Sequence, residues 1–235
     1  MRYFTLLLPV VLLAACGPRQ PYKFGGQPSL RVAEAAMSGG SPEIAVNVAR
    51  GILVREPFNV PAQLMLGNAL YALQLFPQAE ASYATVLKTQ PNNASAHLGL
   101  GRVKLATRDS VAAEEQFRRA AQQEPRAETF SNLGVALDLQ QHPEAAQAEY
   151  RRSLELDPAS TATRLNLALS LLASGDRTGA RATLQPLLAG PTNGELASNV
   201  AAARRAIESG PNAMPMAIPS AIPPPSDPVT LNAPY

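Results

Sequence analysis

The stretch AETFSNLGVALDLQQHPEAAQAEYRRSLELDP, Ala127 to Pro158, reads as two short amphipathic helices joined by a tight turn. Gly134 falls in the middle of the first helix, where a glycine costs about 1 kcal/mol relative to alanine, so packing must offset it. Ala146 on the second helix is the expected counterpart, because two helix axes reach the short end of their usual separation of roughly 8–10 Å only where small residues face each other. Tyr150, one turn later, is expected to fill the volume beside that contact, and Ser153 and Leu154 continue the same face. Asp157-Pro158 ends the helix, since the residue before a proline is pushed out of the α region.

The same design recurs at a fixed period. Small residues of the first helix fall at Gly67, Gly101, Gly134 and Ala168, and those of the second at Ala45, Ala79, Ala113, Ala146 and Ala180, with steps of 33 or 34 residues. The bulky residue repeats as Tyr83, Phe117, Tyr150 and Leu184, and the helix-stopping prolines as Pro57, Pro91, Pro125, Pro158 and Pro191. Four position sets on one period match the L-G-x-x-Y, A-x-x-x-F, P pattern, so the chain resembles a tetratricopeptide repeat (TPR) protein over roughly three quarters of its length. The resemblance implies an all-α solenoid of about five helix-turn-helix repeats with a C-terminal capping helix. The family's tryptophan is replaced by Gln63, His97, Phe130 and Arg164. The first unit, about residues 27–59, has Val32-Ala33 in place of Leu-Gly and Ala49 in place of an aromatic, which marks a degenerate capping repeat.

The termini differ from the repeats. Residues 1–15 carry one positive charge (Arg2), an apolar run through Leu13 and small residues before Cys16, the anatomy of a secretory signal; the run is short for a membrane span and contains Pro9. Leu13-Ala14-Ala15-Cys16 resembles the bacterial lipobox, which implies cleavage before Cys16 and acylation of its sulfur and new amine. Gly17 follows, and the lack of aspartate there resembles lipoproteins sorted to the outer membrane, facing the periplasm. Residues 16–26 read as a lipidated, flexible tether, residues 27–191 as the repeat array and residues 192–210 as the capping helix. In residues 211–235, eight of 25 residues are proline and only Asp227 is charged, too little apolar matter for a core, so a disordered tail with polyproline II character is expected. Within the array, Ser41-Pro42-Glu43, Pro77, Asp109, His142-Pro143-Glu144 and Gly175-Asp176 read as helix starts.

The balance of charge and chemistry points to binding. Twenty Lys and Arg against 18 Asp and Glu, with the basic residues spread among acids, make no case for nucleic acid. The lone Cys16 rules out an internal disulfide. Two histidines and scattered carboxylates form no metal-type cluster, phosphate loop or nucleophile elbow, so no catalytic residue, metal or cofactor is expected. His97 occupies the core-facing place that Phe130 holds one repeat on, and His142 lies in a turn.

In the TPR family the first helix of each repeat lines a concave, peptide-binding surface. By register the resemblance implies Leu64, Asn68 and Tyr71; Leu98, Arg102 and Leu105; Ser131, Val135 and Asp138; and Leu165, Leu169 and Leu172 as the inward set. The lysines of the carboxylate clamp of chaperone-type TPRs are missing, so a chain terminus is not the expected ligand. A TPR lipoprotein of this size with a proline-rich tail resembles the TadD lipoproteins of the Tad (Flp) pilus system most closely, and next the PilF/PilW pilotins of type IV pili. That resemblance implies a non-enzymatic scaffold at the outer membrane, anchored through lipid on Cys16, whose partner is a pilus secretin or another assembly component. The alternatives are a lipoprotein regulator of peptidoglycan or barrel-protein assembly and, more remotely, an envelope enzyme with an unrecognised site.

Overall fold

The computed structural model describes residues 29–189 and 194–209. The signal segment, Cys16, the tether, Pro191 and the proline-rich tail lie outside the described residues. Eleven α-helices and no strands occur among the described residues. They are α1 (Leu30–Ser38), α2 (Pro42–Arg55), α3 (Val60–Ala72), α4 (Phe76–Thr89), α5 (Ala94–Ala106), α6 (Ser110–Gln123), α7 (Ala127–Leu139), α8 (Pro143–Leu156), α9 (Thr161–Ala173), α10 (Arg177–Ala189) and α11 (Gly194–Glu208). None is long and apolar enough to cross a membrane.

The prolines of the repeat stop the even-numbered helices by the expected route. Glu56, Gln90, Glu124 and Asp157, each directly before a proline, leave the α region with φ between −129° and −147° and ψ between 75° and 105°. The first helix of each repeat ends differently. Gly40, Gln74, Arg108, Gln141 and Gly175 all have φ between 58° and 89°, and the residue after each donates its N–H five residues back, as Leu75 does to Leu70 O and His142 to Leu137 O. This left-handed closure turns the chain tightly into the second helix, and in three of five cases it is made without glycine.

Capping follows the expectations in part. Asp109 and Asp176 accept from the N–H of Ala112 and Gly179, but Ser41 and His142 occupy N-cap positions without a side-chain bond. The first helices carry caps of their own that the repeat pattern does not show: Asn59, Asn93 and Ser160 accept from Ala62, Ala96 and Thr163 N–H.

The crossing of each helix pair corrects one detail of the sequence reading. The atoms closest to the repeat glycines are aromatic: a Cβ built on Gly134 would lie 2.5 Å from the Tyr150 ring, and one on Gly101 would lie 2.4 Å from that of Phe117. The small alanines are fully buried nearby, and the glycine exists to let the ring lie flat on the helix backbone. Tyr83 is held from both sides, by Gly67 of its own repeat and by Gly99 of the next.

The odd-numbered helices contact one another in succession, α1 with α3, α3 with α5, α5 with α7, α7 with α9 and α9 with α11, while among the described residues no two even-numbered helices do. Second helices reach the next repeat only through its first helix, so the stack curves with the first helices inside. The last member, α11, takes the place of a further first helix. It buries Val200, Ala203 and Ile207 against the array, and Arg177 donates to the carbonyls of Ala206 and Ile207 at its C-terminus, where a cation also meets the negative end of the helix dipole.

Candidate functional site

The inner face is built from residues at intervals of three and four along α3, α5, α7 and α9, the spacing that places side chains on one side of a helix. Among the twelve expected inward residues the structure separates two groups. Tyr71, Leu98, Leu105 and Leu165 are buried, with 6%, 7%, 3% and 2% of their surface exposed. So little exposed surface leaves these four closed to a ligand in this structure. Leu64, Asn68, Arg102, Ser131, Val135, Asp138, Leu169 and Leu172 are partly exposed.

The open apolar part of the face lies mainly in its C-terminal half; in the N-terminal half Leu64 on α3 is partly exposed. Val135 on α7 and Leu169 and Leu172 on α9 pack partly buried against the core. Leu139, four residues after Val135 and on the same side of α7, is 45% exposed. The expected inward set omits it, although its helical spacing from Val135 is signal enough to find it.

Apart from Leu64, the open inward side chains of the N-terminal half, Asn68 and Arg102, are polar and already engaged. Tyr83 Oη donates to Asn68 Oδ1 at 2.7 Å, and burial pushes the phenol far above its ordinary range. Arg102 lies over the Tyr71 ring, 4.6 Å from its centroid, and within 3.6 Å of Glu128.

Asp138 bridges the two halves of the open strip. Its Oδ2 accepts from the Tyr150 hydroxyl at 2.9 Å and its Oδ1 from Ser170 on α9 at 2.7 Å. Burial raises its pKa above the ordinary aspartate value, outweighing the two hydrogen bonds, which favour the charged form. The same carboxylate adds to the burial that pushes the Tyr150 phenol well up. A second polar network ties the N-terminal end of α7 to α8 and α9: Ser153 Oγ donates to Ala127 O at 2.7 Å, and Thr163 Oγ1 donates to Ser131 Oγ at 3.0 Å.

His97 is buried, as its register implies. Its Nδ1 lies 2.8 Å from Gln116 Oε1 and its Nε2 2.9 Å from Pro91 O, so both ring nitrogens are occupied structurally. An open cleft of about 420 Å³ beside it is lined by Asn92, Glu115, Arg118, Arg119 and glutamines. The two arginines there pair with Glu114 and Glu115 of their own helix. Among the described residues no group of three or more His, Cys, Asp or Glu is placed to hold a metal ion.

A family model described as tetratricopeptide repeat matches residues 64–128 and 131–193. The TPR repeat-containing protein PA4299 of Pseudomonas aeruginosa is 35% identical over 112 residues, 47% of this chain and 45% of that protein. The chain thus spans under half the length of that curated relative. Two solved structures share the fold. The thermophilic TPR protein TTC0263 of Thermus thermophilus aligns with a TM-score of 0.65 at 21% identity, over 74% of this chain and 96% of that one. The Pseudomonas aeruginosa pilF protein aligns with a TM-score of 0.65 at 20% identity, over 77% and 86%.

Proposed function

The chain belongs to the tetratricopeptide repeat family, and from that premise we propose that it is a non-enzymatic scaffold of the bacterial outer membrane, lipid-anchored through Cys16 and facing the periplasm, whose inner face captures a segment of a partner in pilus assembly. The family is one of protein–protein interaction modules. The observation that carries the reading is the open strip of Val135, Leu139, Leu169 and Leu172: large apolar side chains held in fixed geometry on a concave surface are a standard way to receive a peptide or helix.

Leu13-Ala14-Ala15-Cys16 supports the anchor. Two or more acyl chains give stable membrane attachment where one is marginal, and attachment to a surface turns the search for a partner into a local problem of high effective concentration. The likeness of architecture to the pilF protein supports a pilus system as the setting; a secretin as partner and a TadD-like role come from the resemblance of the sequence. A lipoprotein that regulates peptidoglycan or barrel-protein assembly is the competing assignment.

The test is genetic and biochemical. Cys16→Ser is expected to leave the protein unprocessed or to release it from the membrane fraction, and mass spectrometry of the wild type is expected to find acylated Cys16. An unmodified thiol on a soluble mature protein would refute the anchor. Secretin multimers in membranes are expected to fall in a deletion strain, and normal piliation there would end the pilus assignment.

A further inference from the structure

Asp138 is a partly buried carboxylate whose charge no group among the described residues compensates. Its two hydrogen-bond partners, Tyr150 and Ser170, are neutral, and the groups that act on it include no cation. Helix α7 carries no Lys or Arg at all. The cations of the first helices on either side are engaged elsewhere: Arg102 with Tyr71 and Glu128, Lys104 with Glu80, and Arg164 with the Pro158 carbonyl. Partial burial of an ionised carboxylate is costly unless it is paired.

The surroundings of this charge are the apolar strip. Val135, Asp138 and Leu139 lie at i, i+3 and i+4 on α7. Ser170, which touches Asp138 across the helix boundary, sits between Leu169 and Leu172 in the α9 sequence. Each carboxylate oxygen accepts one hydrogen bond and retains capacity for another. The site thus offers an acceptor, oriented by two donors, beside apolar side chains.

We propose that the inner face selects a partner segment carrying a lysine or arginine flanked by apolar residues, the cation pairing with Asp138 and the apolar neighbours seating on Val135, Leu139, Leu169 and Leu172. Charge-assisted hydrogen bonds are the strong ones, and a charged group left unmatched at the interface is penalised, so Asp138 both attracts a basic segment and rejects an acidic one. The inference rests on the peptide-binding reading and names the ligand chemistry of the same face.

A random linear peptide library displayed on phage, panned against the detergent-solubilised full chain, tests it. Selected peptides are expected to be enriched in Lys or Arg next to apolar residues and to lose affinity on Leu139→Asp. Replacing the selected basic residue by glutamine is expected to weaken binding roughly tenfold to the wild type and less than about twofold to Asp138→Asn. Asp138→Asn keeps the shape and can still pair with Tyr150 and Ser170, and an unchanged melting curve is its folding control. Peptides that bind the strip without basic enrichment, or that lose the same affinity on both proteins, overturn this inference and leave the scaffold reading standing. A library that yields no peptide sensitive to Leu139→Asp overturns both.

Discussion

Gly99→Ala is the sharpest test of how the repeats are joined. In an ordinary helix interior this change stabilises by about 1 kcal/mol through helix propensity. Here the new Cβ would lie 2.3 Å from Tyr83 Cζ and 2.4 Å from Cε1. Carbon atoms pack at about 3.5–4.0 Å, so the ring would have to move by about an ångström or more. It cannot do so freely. Its opposite flank lies on Gly67, where a Cβ would be 2.6 Å from Cε1; its hydroxyl is tied to Asn68; and the side chain is 1% exposed. Overpacking of this kind costs about 1–3 kcal/mol, and with both flanks closed the upper part of that range applies, so the net effect is a loss of about 1–2 kcal/mol. Because a repeat array need not unfold in one step, the assay is hydrogen exchange of the α3 to α5 amides alongside guanidinium unfolding. In a Tyr83→Leu background, where the ring is gone, the same Gly99→Ala change is expected to reverse sign and stabilise by about 1 kcal/mol. A stabilising Gly99→Ala in the wild-type chain would refute the ring-between-glycines account.

Three other outcomes follow from particular residues. Gln141→Gly relieves a left-handed residue at φ 64° and is expected to stabilise by up to about 1 kcal/mol, less what glycine adds to the entropy of the unfolded chain; a lower unfolding midpoint would contradict the strain. The raised pKa of Asp138 means that its folded form binds a proton more readily than its unfolded form, so this residue's contribution to stability is full below the ordinary aspartate range and is lost as pH rises through the folded value. The stability difference between wild type and Asp138→Asn should therefore shift in favour of wild type as pH is lowered through that window, and a pH-independent difference would count against it. Truncation after Gly210 is expected to leave the melting curve of the array unchanged, since residues 211–235 are rich in proline and poor in other apolar side chains; a marked loss of stability would show that the tail docks.

The helical architecture was legible because its signals are local and repeated. A proline forces its predecessor out of the helix wherever it stands, and the alternation of small and bulky residues every 33 or 34 positions needs no tertiary information. What the period hides is anything that occurs once. Gly99 belongs to no repeated set, yet it touches Tyr83 as closely as Gly67 does. The caps at Asn59, Asn93 and Ser160 were missed because they follow the proline by two residues and look like loop polarity. The inner face was half legible: register identified one side of each helix, but whether Tyr71, Leu98, Leu105 and Leu165 are buried depends on how neighbouring helices pack, which one helix's sequence does not encode.

Among the described residues, the helices before α5 contact those after it only through α5. The buried apolar residues fall into two clusters, one spanning α1 to α5 and one running from α5 to α11. Helix α5 contributes Ala96, Leu100 and Val103 to the first and Leu98 and Leu105 to the second. Its two glycines divide in the same way, Gly99 against Tyr83 on the N-terminal side and Gly101 against Phe117 on the C-terminal side. Two interior glycines cost this helix about 2 kcal/mol of propensity, while full burial of each ring returns about 1.5–3 kcal/mol, so the helix with a weak intrinsic preference is held in place by what it allows its neighbours to bury. Each repeat contacts only its neighbours, and α5 is therefore the element through which the two clusters act as one body. The strip on α7 and α9 lies on the C-terminal side of that seam, and any stiffening caused by a ligand there reaches the N-terminal half of the array through α5.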